Sequence, residues 1–128
     1  MKGLVYEEYA PDDDFKKILK VKDVDDPKPK PDEVVFKVKA AALNFNDIWG
    51  MRGQPVPVPL PHISGSDAAG EVIAVGDEVT KIKVGDRVMS HSNMSCRVCS
   101  ACTDGREFDC EKRTIWGFQT GPNWGAYS

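Results

Sequence analysis

Alternation of apolar and polar positions dominates this chain. Between residues 33 and 42, Val34, Phe36, Val38 and Ala40 recur at period two, with Val35, Lys37 and Lys39 between them. Successive side chains on a strand point to opposite faces, so this pattern predicts a strand with Val34, Phe36, Val38 and Ala40 on one side. Shorter runs at 2–6, 16–24, 68–75 and 87–90 predict further strands. The run at 16–24 is carried by Ile18, Leu19, Val21 and Val24. Helical periodicity is scarce. Residues 44–51 predict one short helix, with Asn44 or Asn46 as its N-cap, because a short polar side chain there satisfies amides that the first turn leaves free.

Between these runs lie strong breakers. Pro11, Asp12, Asp13 and Asp14 form a solvated turn, and Pro27, Pro29 and Pro31 keep 25–32 out of any sheet interior. Pro55, Pro57, Pro59 and Pro61 alternate with apolar residues and predict an extended, polyproline-like loop. Gly76-Asp77 and Gly85-Asp86 are turn signals around 79–84. Residues 115–128 are rich in glycine and aromatics. Many short strands with few helices predict a mostly β fold with a minor α part, a small barrel or sandwich around one modest core.

Composition narrows the function classes. The chain is 41% hydrophobic and 29% charged with a net charge of −3. No basic stripe exists to hold nucleic acid. The N-terminal residues lack the apolar core of a signal peptide, and no apolar run approaches a membrane span. A cytoplasmic location is the expectation.

The cysteines carry the clearest chemistry. All four, Cys96, Cys99, Cys102 and Cys110, fall in one C-x2-C-x2-C-x7-C loop. Four thiolates satisfy one tetrahedral zinc, and a site so closed is structural. Two disulfides, free thiols or iron in the same cage are the alternatives. A divalent ion with four thiolates keeps a net negative charge, which Arg97, Arg106, Lys112 and Arg113 stand close enough in sequence to offset.

Gly65-Ser66-Asp67-Ala68-Ala69-Gly70-Glu71-Val72, then Val75-Gly76, then Val84-Gly85-Asp86-Arg87-Val88, preceded by Ala41-Ala42-Leu43-Asn44-Phe45-Asn46-Asp47 and followed by the cysteine loop, resembles the N-terminal GroES-like domain of the medium-chain dehydrogenase/reductase family. That family includes the zinc-containing alcohol dehydrogenases and the quinone reductases. The resemblance implies a partly open GroES-like β-barrel over 1–128, with 92–114 as a zinc-stabilised lobe. It also implies a second, Rossmann domain that binds NAD(P)H, with the active site between the two. No G-x-G-x-x-G follows a strand in this chain, so that domain is expected to lie outside it. By itself the chain would then be inactive, and the intact enzyme a homo-oligomer acting on a small molecule.

The resemblance further implies where catalysis would sit. Alcohol dehydrogenases of the family hold a second, catalytic zinc with a cysteine in C-x-x-D and a histidine in Gly-His-Glu. The matching positions here are Asn44, three residues before Asp47, and Ser66, beside Asp67. Asn44, Asp47, Ser66 and Asp67 are therefore the candidate catalytic residues. Neither Asn44 nor Ser66 is a good zinc ligand. A makeshift metal site from Asp47, His62 and Asp67 is the sharper reading. The plainer one has Asp47 capping or orienting backbone, Asp67 pairing with a cation, and His62 and His91 solvated or hydrogen-bonded. Asn44 is a candidate donor to a substrate carbonyl or a cofactor hydroxyl. Some enoyl reductases of the family carry a tyrosine eleven residues on, where this chain has Pro55. Ile115-Trp116-Gly117-Phe118-Gln119-Thr120 with Trp124-Gly125 resembles acyl-CoA reductases of the crotonyl type.

The expected function is hydride transfer from NAD(P)H to an enoyl, quinone or carbonyl group without a catalytic zinc. A zinc-dependent alcohol dehydrogenase and a non-enzymatic, zinc-stabilised GroES-like binding module are the alternatives.

Overall fold

The computed structural model describes residues 1–120 and 125–128; Trp124 of the aromatic match lies outside them. In chain order the elements are β1 (Lys2–Tyr6), α1 (Phe15–Ile18), β2 (Lys20–Asp23), β3 (Val34–Ala42), α2 (Phe45–Arg52), β4 (His62–Ile63), β5 (Asp67–Val75), β6 (Arg87–Met89), β7 (Asn93–Met94), α3 (Ser100–Thr103) and β8 (Thr114–Ile115), with a 3-10 turn at Glu107–Asp109 before β8. The strands form two three-stranded antiparallel sheets, ordered β2-β1-β4 and β3-β5-β6, and a two-stranded ribbon of β7 and β8. No closed barrel forms among the described residues. The fold is mostly β, as the alternation predicts.

Strands β3 and β5 pair along almost their whole length, from Val34 opposite Val75 to Ala42 opposite Asp67. The pairing is interrupted twice. Between Val35 and Phe36 the register skips Ile73, and between Val38 and Ala40 it skips Lys39. An unpaired residue of this kind reverses which face the following side chains occupy. The expected face of Val34, Phe36, Val38 and Ala40 is accordingly not continuous: Phe36 and Val38 are half-buried, whereas Ala40, Ala41 and Ala42 are all exposed. The last stretch of β3 therefore emerges at the surface directly before Asn44.

The run at 16–24 departs from a single strand. Its first part turns as α1, with Leu19 N–H donating to Phe15 O at 3.0 Å, and only Lys20–Asp23 is extended. Residues three apart on a helix share a face, so one turn sends both Phe15 and Ile18 inward. Ile18 is buried with Tyr6, Ala10, Val58 and Phe118, and Phe15, Tyr9, Leu19, Met51, Leu60 and Ile115 pack around them. Burial of each large apolar side chain contributes about 1.5–3 kcal/mol, which outweighs the weak strand preference of four residues.

The proline-rich segment is a loop between α2 and β4, with cis peptide bonds at Gln54–Pro55 and Leu60–Pro61. It enters the core through Val58, whose carbonyl accepts from Tyr9 Oη at 2.7 Å. An apolar cleft of about 470 Å³ opens along Phe36, Val38, Val88 and Trp116. A shallower depression of about 240 Å³ follows Ala40, Ala42, Asp67 and Ala69.

Candidate functional site

Two loops and a helix start converge at the end of β3. Helix α2 begins after Asn44, whose side-chain Oδ1 accepts from Asn46 N–H at 3.2 Å. Asp47 completes a capping box by accepting from Asn44 N–H through Oδ2 at 2.8 Å. This arrangement satisfies two amides that a helix start would otherwise leave free. Asn44, not Asn46, is thus the cap. The helix stops at Gly53, which adopts φ +70°.

Asp47 does more than cap. It is 5% exposed, and its Oδ1 accepts from Gly65 N–H at 3.0 Å. Its Oδ2 also accepts from Tyr127 Oη at 2.8 Å. Three donors around one buried carboxylate compensate its loss of water. Burial first, then the adjacent Asp47, push the Tyr127 phenol above its ordinary value, so it stays protonated as a donor. The same hydroxyl lies 3.1 Å from Ala42 O, Tyr127 N–H donates to Ser64 O at 3.2 Å, and Leu4 N–H donates to Tyr127 O at 2.9 Å. One residue near the chain end therefore ties β1, β3, α2 and the loop before β5 together. Sequence reasoning missed Tyr127, and no motif spacing could have revealed it.

The loop itself needs glycine. Gly65 sits at φ +107°, where a Cβ would lie 2.7 Å from that of Ala126. A Cβ on Gly117 would lie 1.9 Å from Gly65 O. Only backbone without side chains packs this tightly, and it delivers Gly65 N–H to Asp47.

The sequence candidates are partly assembled. Asn44 Nδ2 donates to Asp67 Oδ2 at 3.1 Å, so Asp67 meets an amide in place of the expected cation. Asn44 is exposed and Asp67 half-buried. Ser66 points elsewhere: it is 1% exposed, and its hydroxyl has no partner among the described residues. Its carbonyl accepts from Ser90 Oγ, which in turn accepts from Ala68 N–H, both at 3.0 Å. His62 is fully buried, with Nδ1 3.2 Å from Pro59 O and Nε2 3.1 Å from Gly117 O. Both ring nitrogens face backbone carbonyls, and among the described residues His62, Asp47 and Asp67 do not converge as an ion-holding group. Burial lowers the His62 pKa. His91 is exposed, with Nδ1 3.0 Å from Asn93 O.

The cysteine loop closes as a cage. All four sulfurs lie within 4.8 Å of one another, and among the described residues this is the one group of three or more such side chains able to share an ion. Cys99 and Cys102 Sγ are 3.4 Å apart, and Cys96 and Cys102 Sγ 4.0 Å. Zinc–thiolate bonds of about 2.3 Å in a tetrahedron set sulfur separations near about 3.8 Å, so the cage fits zinc. Cys99 N–H donates to Cys96 Sγ and Cys96 N–H to Cys110 Sγ, each at 3.4 Å. Backbone amides of Val98 and Cys99 bring the Cys96 thiol down to about 6, while burial pushes Cys102 up to about 11. The ribbon of β7 and β8 pairs Asn93 with Ile115 and Met94 with Thr114, closing the base of the loop. The expected charge offset is only partly present: Arg106 pairs with Asp104 and Asp109 at 3.2 and 2.9 Å, and Arg113 donates to Phe108 O.

Comparison with known proteins agrees with this geometry. Residues 30–128 match the family described as the alcohol dehydrogenase GroES-like domain. The chain is 38% identical over 108 residues to a crotonyl-CoA carboxylase/reductase of Cereibacter sphaeroides, covering 80% of this chain and 25% of that protein. It is 36% identical over 115 residues to an alcohol dehydrogenase of Geobacillus stearothermophilus, covering 88% and 34% respectively. A thermostable alcohol dehydrogenase from Pyrobaculum aerophilum superimposes with a TM-score of 0.86 at 31% identity, over 99% of this chain and 36% of that one. The chain thus spans between 25% and 34% of the length of these two curated relatives. No helix among the described residues is long and apolar enough to cross a membrane. By its motifs, its fold and these likenesses, the chain belongs to the medium-chain dehydrogenase/reductase family, as a GroES-like domain of the alcohol dehydrogenase type.

Proposed function

We propose that this chain is the substrate-side domain of an NAD(P)H-dependent oxidoreductase that passes hydride to an enoyl, quinone or carbonyl group without a catalytic zinc. One structural zinc in the 92–114 lobe and a nucleotide-binding domain outside this chain complete the enzyme. The observation that carries the reading is the state of Asn44 and Ser66. Asn44 is committed on one side to the α2 cap and on the other to Asp67, and Ser66 is sealed inside with a neutral hydroxyl. A catalytic zinc needs about three charged or basic ligands and an open position, and these two residues supply neither charge nor a free imidazole.

The nicotinamide ring, when bound, supplies the hydride. The chain's own residues position and shield. Asp47 holds Asn44, Gly65 and Tyr127 in one rigid frame, so that the Asn44 amide presents a fixed polar edge. Phe45 and Trp49 pack edge to face with centroids 5.4 Å apart and, with Leu43, leave exposed apolar surface next to Asn44 in sequence. A similarity to a crotonyl-CoA carboxylase/reductase and to an acryloyl-coenzyme A reductase supports the enoyl thioester among the acceptors.

The test is NADPH oxidation by the enzyme complete with its nucleotide-binding domain. Crotonyl-CoA or a quinone should be reduced at one zinc per chain, with the rate unchanged by a chelator that leaves the cysteine site loaded. Activity confined to alcohols and aldehydes, lost when a second zinc is stripped, would overturn it.

A further inference from the structure

We propose that Cys99 is a modification site: the thiolate of the lobe to which a soft electrophile, an α,β-unsaturated carbonyl compound, adds first, opening the cage. The addition needs no cofactor and stands apart from the hydride transfer proposed above.

With zinc bound, all four cysteines are thiolates, so protonation does not choose among them. Access and hydrogen bonding to sulfur do. A buried sulfur is out of reach, and a donated N–H draws on the electron pair that would attack. Burial sets two of the four aside: Cys102 and Cys110 are 9% and 6% exposed, whereas Cys96 and Cys99 are half-buried.

Backbone amides separate the remaining two. Cys96 Sγ accepts from Cys99 N–H at 3.4 Å and also from Val98 N–H. Cys99 stands at the N-cap of α3, yet its side chain takes no bond from the first-turn amides. Its sulfur meets Cys102 Sγ at 3.4 Å, and in the loaded cage that neighbour is a second thiolate, not a donor. The Arg106 guanidinium interacts with Cys99 but is divided between Asp104 and Asp109 at 3.2 and 2.9 Å. Arg97, Val98 and Ser100 beside it in sequence are all exposed, and Val98 offers apolar surface to the electrophile's carbon chain. Cys99 is therefore the sulfur that combines access with an undiminished electron pair.

In the addition, that pair forms a C–S bond to the β-carbon. The C=C pair moves onto the carbonyl oxygen as an enolate, and water then protonates the α-carbon. Cys99 becomes a neutral thioether, a poorer donor to a divalent ion than the thiolate it replaces. Three thiolates remain, and the closed cage gains an open position.

The test uses the zinc-loaded 128-residue chain and a substoichiometric amount of N-ethylmaleimide. Peptide mass spectrometry locates the adduct, and a chromophoric chelator reports released zinc. Cys99 should carry more adduct than the other three cysteines together, and zinc should appear in step with it. Cys99→His, which keeps a zinc donor but no thiolate, should hold its zinc under the same dose. The adduct map is read on the parent chain, so it decides even where the variant binds no metal. Adduct first on Cys96, an even spread over the four, zinc released before Cys99 is modified, or no adduct until a chelator has stripped the metal would each overturn the proposal.

Discussion

Tyr127 donates its hydroxyl to Asp47 Oδ2 at 2.8 Å across 80 positions of sequence. The contact fastens the start of helix α2 to a residue that also bonds β1 and the loop before β5. Hydrogen bonds to a buried charge contribute about 1.5–3 kcal/mol. Tyr127→Phe should therefore destabilise the chain by about 1.5 kcal/mol in urea unfolding. Asp47→Ala, which strands three donors and removes half of the capping box, should cost about 3–4 kcal/mol. The two losses should be less than additive, because they share one bond.

Tyr127 also gives a test in alkali. Its folded pKa is raised above the ordinary 10.0. The unfolded chain releases the phenolic proton first, so this contribution is full below pH 10 and declines as pH rises through the folded value. Comparing unfolding of the parent and Tyr127→Phe from pH 8 upward, about the range where tyrosines titrate, should show the smaller alkaline loss in the variant.

His62 acts with the opposite sign at the other end of the scale. Burial lowers its pKa from 6.5. The unfolded state then binds a proton that the folded state resists, so stability is full above 6.5 and falls as acid approaches the folded value. His62→Gln should flatten the stability profile below pH 6.5, even though the variant is weaker at neutrality.

Asn44→Ser separates capping from the contact with Asp67. Serine caps about as well as asparagine, so unfolding should shift by no more than about 0.5 kcal/mol, while the amide donor to Asp67 is lost. Asn44→Ala should cost about 1 kcal/mol more through the cap alone.

Removing the metal should act locally. Stripping zinc, or Cys110→Ser, should abolish amide protection in α3 and the turn at Glu107–Asp109. The sheets of β1 and β3 should keep theirs, because the lobe joins them through the short β7–β8 ribbon. Hydrogen exchange reads both regions in one experiment.

Gly65 should tolerate no side chain. At φ +107°, with Ala126 N 2.8 Å from a would-be Cβ, Gly65→Ala should destabilise by at least about 2 kcal/mol.

The chain's own letters carried a good deal of this. Period-two alternation marked β3, the run at 68–75 marked β5, an asparagine at 44 or 46 marked a capped helix, and four cysteines marked a cage whose sulfurs do converge. Such features depend on neighbours within a few residues, where backbone geometry fixes distance. The helical turn at Phe15–Ile18 was hidden because a core elsewhere decided it, and the bulges at Ile73 and Lys39 because register belongs to a pair of strands.

What sequence alone determined, then, is the β character, the short helix after residue 44 and the clustering of the four cysteines, since each arises from local spacing. Only the tertiary structure decided what the candidate residues do. It buried His62 between two carbonyls, sealed Ser66 inside, turned the Asn44 amide toward Asp67 and brought Tyr127 onto Asp47. These relations are set by chain segments distant in sequence, and their hydrogen-bond partners exist only once the two sheets and the loop before β5 have packed.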